Sequence, residues 1–376
     1  MSEYRLLERD FRTFFEVPFA QYGPEEAYVS PFRGDLARAL DGARNPVFGD
    51  PDGITFFTVV RNGRPVGRIT AHIHVGSNER YGLRRGYFGY FDCGHDGVAA
   101  STLLDAASEW LARRGCDEIA GNFNLTAMQE MGVVVEGSEH APFTAQHHNP
   151  PWIPELLTGN GFETFFPMTT WSLDLARTDP DRLVGPKQEA LMADPDLTME
   201  PILRRRFRAS MEIAWHLLNE SFHDNPLFVP LTREEFFFQA DQMLLVFDPR
   251  IAWLARYRGE PVAVVACLPD VTPLLEATGS RLRLSTPFHY VRHRLHRERA
   301  SLIFGGVAPH MQNRGLAGIL FRRALQGMRQ AGYRELGITW ISSSNTASLR
   351  QMEKIGARPR HRLNLFRRSL GVGGVS

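Results

Sequence analysis

Residues Ser301 to Leu325 read SLIFGGVAPHMQNRGLAGILFRRAL. The run opens with Leu302, Ile303 and Phe304, too short for a helix and closed by Gly305 and Gly306, which predicts a buried strand. After Val307, Ala308 and Pro309 comes a polar, small-residue turn, Gln312-Asn313-Arg314-Gly315-Leu316-Ala317-Gly318. Ile319, Leu320, Ala324 and Leu325 then recur at helical spacing, with Arg322 and Arg323 on the opposite face. The order is strand, glycine-containing turn, helix. Such a turn presents backbone N–H groups at the positive end of a helix, and its small residues allow a phosphate to come close.

Gln312, Gly315 and Ala317 stand at the spacing Q-x-x-G-x-A, which resembles the pyrophosphate loop of the GCN5-related N-acetyltransferases, the GNAT family. Downstream, Gly332–Trp340 resembles that family's next strand, and Asn345–Ala357 its following helix, opened by an Asn and closed by a glycine. The resemblance implies an α/β fold with mixed sheets and an acyl-CoA or acetyl-CoA co-substrate. It assigns cofactor binding to Phe304, Gly305 and Val307 on the strand, to Gln312, Asn313, Arg314, Gly315, Leu316, Ala317 and Gly318 in the loop, and to Asn345.

At 376 residues the chain has room for two domains. Hydrophobic content of 43% and charged content of 23% are those of a soluble globular protein. A net charge of +1 argues against a general nucleic-acid binder. Cys93, Cys116 and Cys267 lack metal or redox spacing, no HExxH pattern occurs, and no metal is expected. The N-terminus lacks a signal-peptide core and no run is apolar enough to span a bilayer, which points to the cytoplasm, with room for peripheral attachment to the inner membrane.

The first half repeats the same plan. Ile54–Val60 and Pro65–Val75 read as strands joined by the Arg61-Asn62-Gly63-Arg64 turn, Gly86–Phe91 as a third, followed by a helix through Leu103, Ala107 and Leu111. Its hairpin echoes Leu254–Pro269, as a tandem duplication would. Where a phosphate loop belongs, however, the chain reads Asp92-Cys93-Gly94-His95-Asp96-Gly97, and two aspartates would repel a pyrophosphate. The expected arrangement is residues 1–178 as a GNAT-like domain without a CoA loop, 179–196 as a Pro-rich charged linker, and 197–376 as the acyl-CoA domain. The segment from Gly121 to Pro167 is dense in Asn, Gln, His and Glu, and two readings stand: an ordered surface loop, or a wall of the acceptor pocket.

Gly121–Asn124, Asn149–Pro154, Phe166–Thr170, Leu268–Asp270 and Gly279–Leu282 resemble a bacterial group of double-GNAT proteins that includes ceramide synthases. That resemblance implies N-acylation of a lipid amine, a sphingoid long-chain base. Acetylation of a small polar amine or amino acid, and a non-catalytic acyl-CoA-binding module that regulates a partner, are the alternatives. Amide formation needs a deprotonated amine and a polarised carbonyl. Many GNAT enzymes carry a Tyr acid seven residues after the helix-opening Asn, where this chain has Met352. The base candidates are His140, His147, His148, Asp270, Glu136, His223 and Asp224, of which His223 and Asp224, adjacent in a loop before a helix, and Glu136, from the first half, are preferred. Finally, Gly279–Arg299 interleaves six arginines with Leu282, Leu284, Phe288 and Val291, and reads either as a charged surface or as a dock for an anionic membrane.

Overall fold

The computed structural model describes residues 3–371 except 49, 126–129, 224 and 226. Asp224 therefore lies outside the described residues. The first half runs β1 (Tyr4–Glu8), α1 (Phe11–Gln21), α2 (Arg33–Ala39), β2 (Ile54–Arg61), β3 (Arg64–His72), α3 (Val75–Tyr81), β4 (Arg85–Cys93), α4 (Gly97–Ala112), β5 (Glu118–Gly121), β6 (Val133–Glu136), α5 (Ile153–Gly159) and β7 (Glu163–Asp174). After α6 (Pro186–Met192) the second half runs β8 (Leu197–Pro201), α7 (Phe207–Phe222), α8 (Arg233–Met243), β9 (Trp253–Tyr257), β10 (Glu260–Pro269), α9 (Thr272–Thr278), α10 (Thr286–Leu295), β11 (Arg299–Val307), α11 (Leu316–Gln330), β12 (Glu335–Ser342), α12 (Thr346–Ile355) and β13 (Arg358–Ser369).

The two halves follow one plan, apart from β6 in the first and the additional helix between β10 and β11 in the second, and they share it down to the hairpin turns. Arg61 faces Arg64 across Asn62 and Gly63, and Tyr257 faces Glu260 across Arg258 and Gly259, all four turn residues having positive φ. Such turns match the twist of the strands they join. Helix ends follow side-chain chemistry: Asp96 caps α4, Thr232 and Glu235 form a reciprocal cap on α8, and Asn345 caps α12, which stops at the left-handed Gly356.

All strands form one sheet in the order β1-β2-β3-β4-β5-β13-β7-β12-β11-β10-β9-β8, with β6 paired to β13. The centre holds what the linear order does not show. β13, the last strand of the second half, pairs with β5 of the first, Phe366 opposite Gly121. β7, the last strand of the first half, pairs with β12 of the second, Leu173 opposite Leu336. The halves exchange their final strands, and the exchanged pair β7–β13 runs antiparallel down the middle. One core cluster lies under α7, α8 and α11, another under α4 and α5.

The segment 179–196 is also ordered. Asp181 pairs with Arg322 on α11 at 2.6 Å, and the Leu183 carbonyl packs against Gly318 at the start of that helix.

Candidate active site

β11 and β12 run parallel and paired only from Arg299–Leu302 against Glu335–Ile338. Beyond Leu302 they part, and a cleft of 660 Å³ opens between them. Ile303–Val307 form one wall and Thr339–Ser342 the other, with Leu320 and Phe321 of α11 beneath. Phe222, Asn225, Leu227 and Phe228, from the α7–α8 connection, close it from the second half. Phe166 on β7 and Ala145 reach in from the first half, so both halves build the cleft.

The loop 312–315 leads into α11 at the cleft's mouth. Gly315 is the N-cap residue at φ 89° and has no side-chain acceptor for the first helical N–H groups. Asn313 is also left-handed, at φ 60°. Two cationic side chains stand here: Arg314, which is exposed, and Lys187 of α6, whose ammonium donates to the Asn313 carbonyl. Gln188 lies over Gly315, so that a Cβ there would sit 2.8 Å from its side-chain nitrogen. The loop is therefore roofed by α6, which sequence reading treats only as a linker.

The cofactor-binding expectations fall together around this cleft. Phe304, Gly305, Val307, Ala317 and Asn345 line it, and Gln312, Asn313, Arg314, Gly315, Leu316 and Gly318 form the adjoining turn and first helical residues. Asn345 uses its side-chain oxygen to accept from the Ser348 N–H at 3.1 Å, so its first duty is to start α12. Met352 is buried and lines the cleft, at the position where a tyrosine acid was sought.

The acid–base candidates scatter. His223 is exposed at the end of α7, its carbonyl accepting from Arg80 at 2.5 Å, and the residues flanking the His223–Asp224 pair, Phe222 and Asn225, both line the cleft. Glu136 is exposed on β6 in an ion pair with Arg362 at 3.1 Å and is not among the cleft-lining residues. His147 and His148 are buried and are not among those residues; His148 bonds the Glu26 carbonyl at 2.7 Å. Burial pushes the His147 imidazole down to about 3, so it stays neutral. Asp270 is buried and accepts from Thr144 and Thr272. Most of the loop 137–150 packs on the sheet: Phe143 lies against Gly337 and Gln146 donates to the Ile338 carbonyl at 2.9 Å. Of the two readings of Gly121–Pro167, the pocket wall describes Ala145 and Phe166, while Phe143 and Gln146 to Asn149 are buried and not on the surface.

No Asp, Glu, His, Lys, Arg, Tyr or Cys lines the cleft among the described residues. Sequence reading missed its aromatic and hydroxyl residues, Trp340, Phe222, Phe228, Ser342 and Ser344. One signal was present: Phe166, inside a stretch already matched to double-GNAT proteins, stands with Trp340 at 6.4 Å between ring centres.

The equivalent place in the first half is filled. β4 and β5 pair over Arg85–Tyr87 and Glu118–Ala120, then Asn122 and Asn124 enter the gap. Asn124 accepts from the Tyr90 N–H at 2.8 Å, Asn122 accepts from Phe91 at 3.3 Å, and the Phe123 N–H donates to the Phe88 carbonyl at 2.8 Å. The Phe123 carbonyl comes so close to Gly89 that no side chain fits there. At the start of α4, Asp96 accepts from the Ala99 N–H at 3.1 Å and pairs with Arg61 at 2.7 Å. Asp92 is buried against Arg68 at 2.7 Å; burial raises its carboxyl, and Arg68 with the Tyr22 and Tyr28 hydroxyls opposes that.

Two repeats, each with a parallel strand pair that splays, are thus joined through exchanged strands. A tandem GNAT protein from the clavulanic acid biosynthesis pathway superposes over 99% of both chains with a TM-score of 0.59 at 12% identity. The fold is a tandem GNAT fold. Residues 211–357 of this chain match the acetyltransferase (GNAT) family. A GCN5-related N-acetyltransferase from Sphaerobacter thermophilus shares the fold over 97% of this chain and 96% of its own, with a TM-score of 0.51 at 15% identity. In sequence the chain is similar to Protein YghO of Escherichia coli (strain K12), 26% identical over 373 residues, 97% of this chain and 94% of that one. It also resembles the bacterial ceramide synthase of Caulobacter vibrioides (strain NA1000 / CB15N), 23% identical over 358 residues, 92% of this chain and 91% of that one.

Proposed function

We propose that this protein is an acyl-CoA-dependent N-acyltransferase that forms an amide on a lipid amine, a sphingoid long-chain base. The observation that carries the lipid reading is the cleft lining: Leu302, Ile303, Phe304, Leu320, Phe321 and Trp340 among uncharged neighbours only. The hydrogen-bonding groups of the lining, among them Asn225, Thr339, Ser342, Ser344, Asn345 and Gln351, carry no charge to fix a charged amine or amino acid, whereas an acyl chain gains about 25 cal/mol for each Å² it removes from water. The likeness to the Caulobacter ceramide synthase over most of both chains supports the same class.

In this reading the pyrophosphate sits at the loop 312–315 and the first turn of α11, with Arg314 and Lys187 balancing its charge. The pantetheine lies along the unpaired edge of β11 at Phe304–Val307, whose backbone can polarise the thioester carbonyl. The amine attacks that carbonyl, the C–S bond breaks and CoA leaves as thiol. His223, which follows the cleft-lining Phe222, is the proposed proton acceptor together with its sequence neighbour Asp224, and Glu136 on β6, held by Arg362 of β13, has no part. The first half supplies Phe166 and Ala145, and binds no CoA, its gap being filled by Asn122 and Asn124.

Purified protein given acyl-CoA and a panel of amines tests this. Long-chain bases should yield amide and free thiol in equal amounts, while glucosamine and amino acids yield none. Turnover confined to acetyl-CoA with a polar amine would overturn the acceptor class. A cleft without an ionisable lining residue also favours one alternative, an acyl-CoA-binding regulatory module; binding without turnover of any amine would establish it.

A further inference from the structure

Twelve large hydrophobic residues are exposed among the described residues, and seven of them fall between Leu244 and Leu295. The five most exposed are all in this group: Leu284, Leu282, Leu295, Leu245 and Phe288. They form one surface. Leu282 and Leu284 are in the loop leading into α10, while Phe288, Val291 and Leu295 follow helical spacing along its outer side, and the Tyr290 hydroxyl donates to the Leu245 carbonyl at 2.7 Å. An amphipathic helix normally turns such a stripe inward. Here α10 buries His293, whose ring bonds the Asp270 carbonyl at 2.7 Å, and leaves the stripe outside.

Charge decides what covers it. No acidic residue occurs from Gly279 to Arg297, and five arginines do. Two of these are committed inside the protein: Arg281 pairs with Glu16 at 2.7 Å, and the largely buried Arg297 reaches Asp248 at 3.4 Å. Arg283, Arg292 and Arg294 are exposed and form no ion pair with a described carboxylate. Arg204 adds a further cation, donating to the carbonyls of Leu245 and Phe247. Apolar side chains standing among cations fit an anionic lipid bilayer, whose headgroup region accepts the first and whose surface attracts the second.

We infer that α10, the loop before it and the turn after α8 dock this protein on an anionic membrane surface. The surface connects to the cleft through α8. Phe236 on that helix contacts Phe304 of the cleft wall at 6.5 Å between ring centres, and Leu244 follows eight residues later, about 12 Å along a helix. The docking stands on this patch. Its use, delivery of a lipid amine to the cleft, rests on the proposed acceptor.

The full chain is sedimented with phosphatidylcholine vesicles and with vesicles containing phosphatidylglycerol, at low and high salt. Binding should require the anionic lipid and fall steeply with salt. The variant Arg283→Glu/Arg292→Glu/Arg294→Glu should lose about a hundredfold in affinity, since each basic residue near such a surface contributes about fivefold. Leu284→Asp/Phe288→Asp should lose binding at low salt as well. All five positions are exposed, so thermal unfolding should match the parent and confirm the fold. Equal binding to both vesicle types, an unaffected arginine variant, or no binding at all would overturn the inference. So would light scattering that shows a dimer split by Phe288→Asp, because the patch would then cover a second copy. Amide synthesis from a detergent-dispersed base without vesicle binding would remove the docking alone. Vesicle binding without acylation of any long-chain amine would remove the acceptor reading alone.

Discussion

Gly315 meets two demands at one position: a backbone at φ 89° and space beneath Gln188. Replacing it with Ala introduces strain of about 1–2 kcal/mol, whereas Glu adds a negative charge where a phosphate is expected. Acyl-CoA binding measured by calorimetry should weaken modestly in Gly315→Ala and vanish in Gly315→Glu. Gly97→Glu should leave it unchanged, since a Cβ there meets nothing within 4 Å and Asp96 already caps that helix. Equal losses at Gly97 and Gly315 would move the binding half. The base is tested at the same scale. General base catalysis is worth about 100- to 10,000-fold, so His223→Ala should lower kcat by at least the smaller factor with acyl-CoA affinity intact. A variant that keeps the parent kcat would assign the proton to water instead.

Among the elements, α6 has the least expected role. Its Lys187 is tied to the Asn313 carbonyl and its Gln188 covers Gly315, so a nominal linker forms part of the loop's surroundings. Lys187→Ala should weaken acyl-CoA binding about threefold, the size of an exposed ion pair, with the difference shrinking at high salt. An unchanged affinity would make α6 a roof only. α3 plays a similar part on the acceptor side: Arg80 donates to the His223 carbonyl and Tyr81 to the Phe228 carbonyl at 2.7 Å, so the first half braces the loop that carries the proposed base.

For the whole molecule, strand exchange means that cutting the chain between α6 and β8 does not separate the halves. β7 would remain between β12 and β13, held on both edges. A protease site inserted at residues 194–196 should give a cleaved protein that still elutes as one species and parts only in denaturant; separation in native buffer would count against the central sheet. Stability should also depend on pH in a defined direction. Burial pushes His72 and His147 down to about 3 and His361 to about 4, against about 6.5 unfolded. Below 6.5 the unfolded chain takes up protons that the folded one refuses, so stability falls as pH falls toward 4. Glu130 acts oppositely: burial pushes it up to about 7, which favours the folded state at low pH and opposes it as pH rises through 7. From these four groups alone, about two net protons separate the states near pH 5, a contribution of about 2–3 kcal/mol per pH unit. Urea titrations at pH 7, 6 and 5 should show it, and a flat series would mean these histidines protonate in place.

The sequence by itself determined what depends on near neighbours. Asn62-Gly63 and Arg258-Gly259 specify tight hairpins because their backbones adopt positive φ. The spacing of Ile319, Leu320, Ala324 and Leu325 makes α11 amphipathic, and the loop before it marks the half proposed to bind CoA. Repetition of the plan was legible for the same reason. Tertiary structure alone decided which strand stands beside which. β7 and β13 are each the last strand of their half, and their partners lie far away in sequence, so only the packed sheet selects the exchange. It decided too that Asn122 and Asn124 fill the first gap, and that Glu136 on β6 pairs with Arg362 on β13. Which side of α10 is outward is likewise a tertiary outcome. Its composition left a charged surface or a membrane dock open, and the packing of His293 against the Asp270 carbonyl leaves Phe288, Val291 and Leu295 facing out.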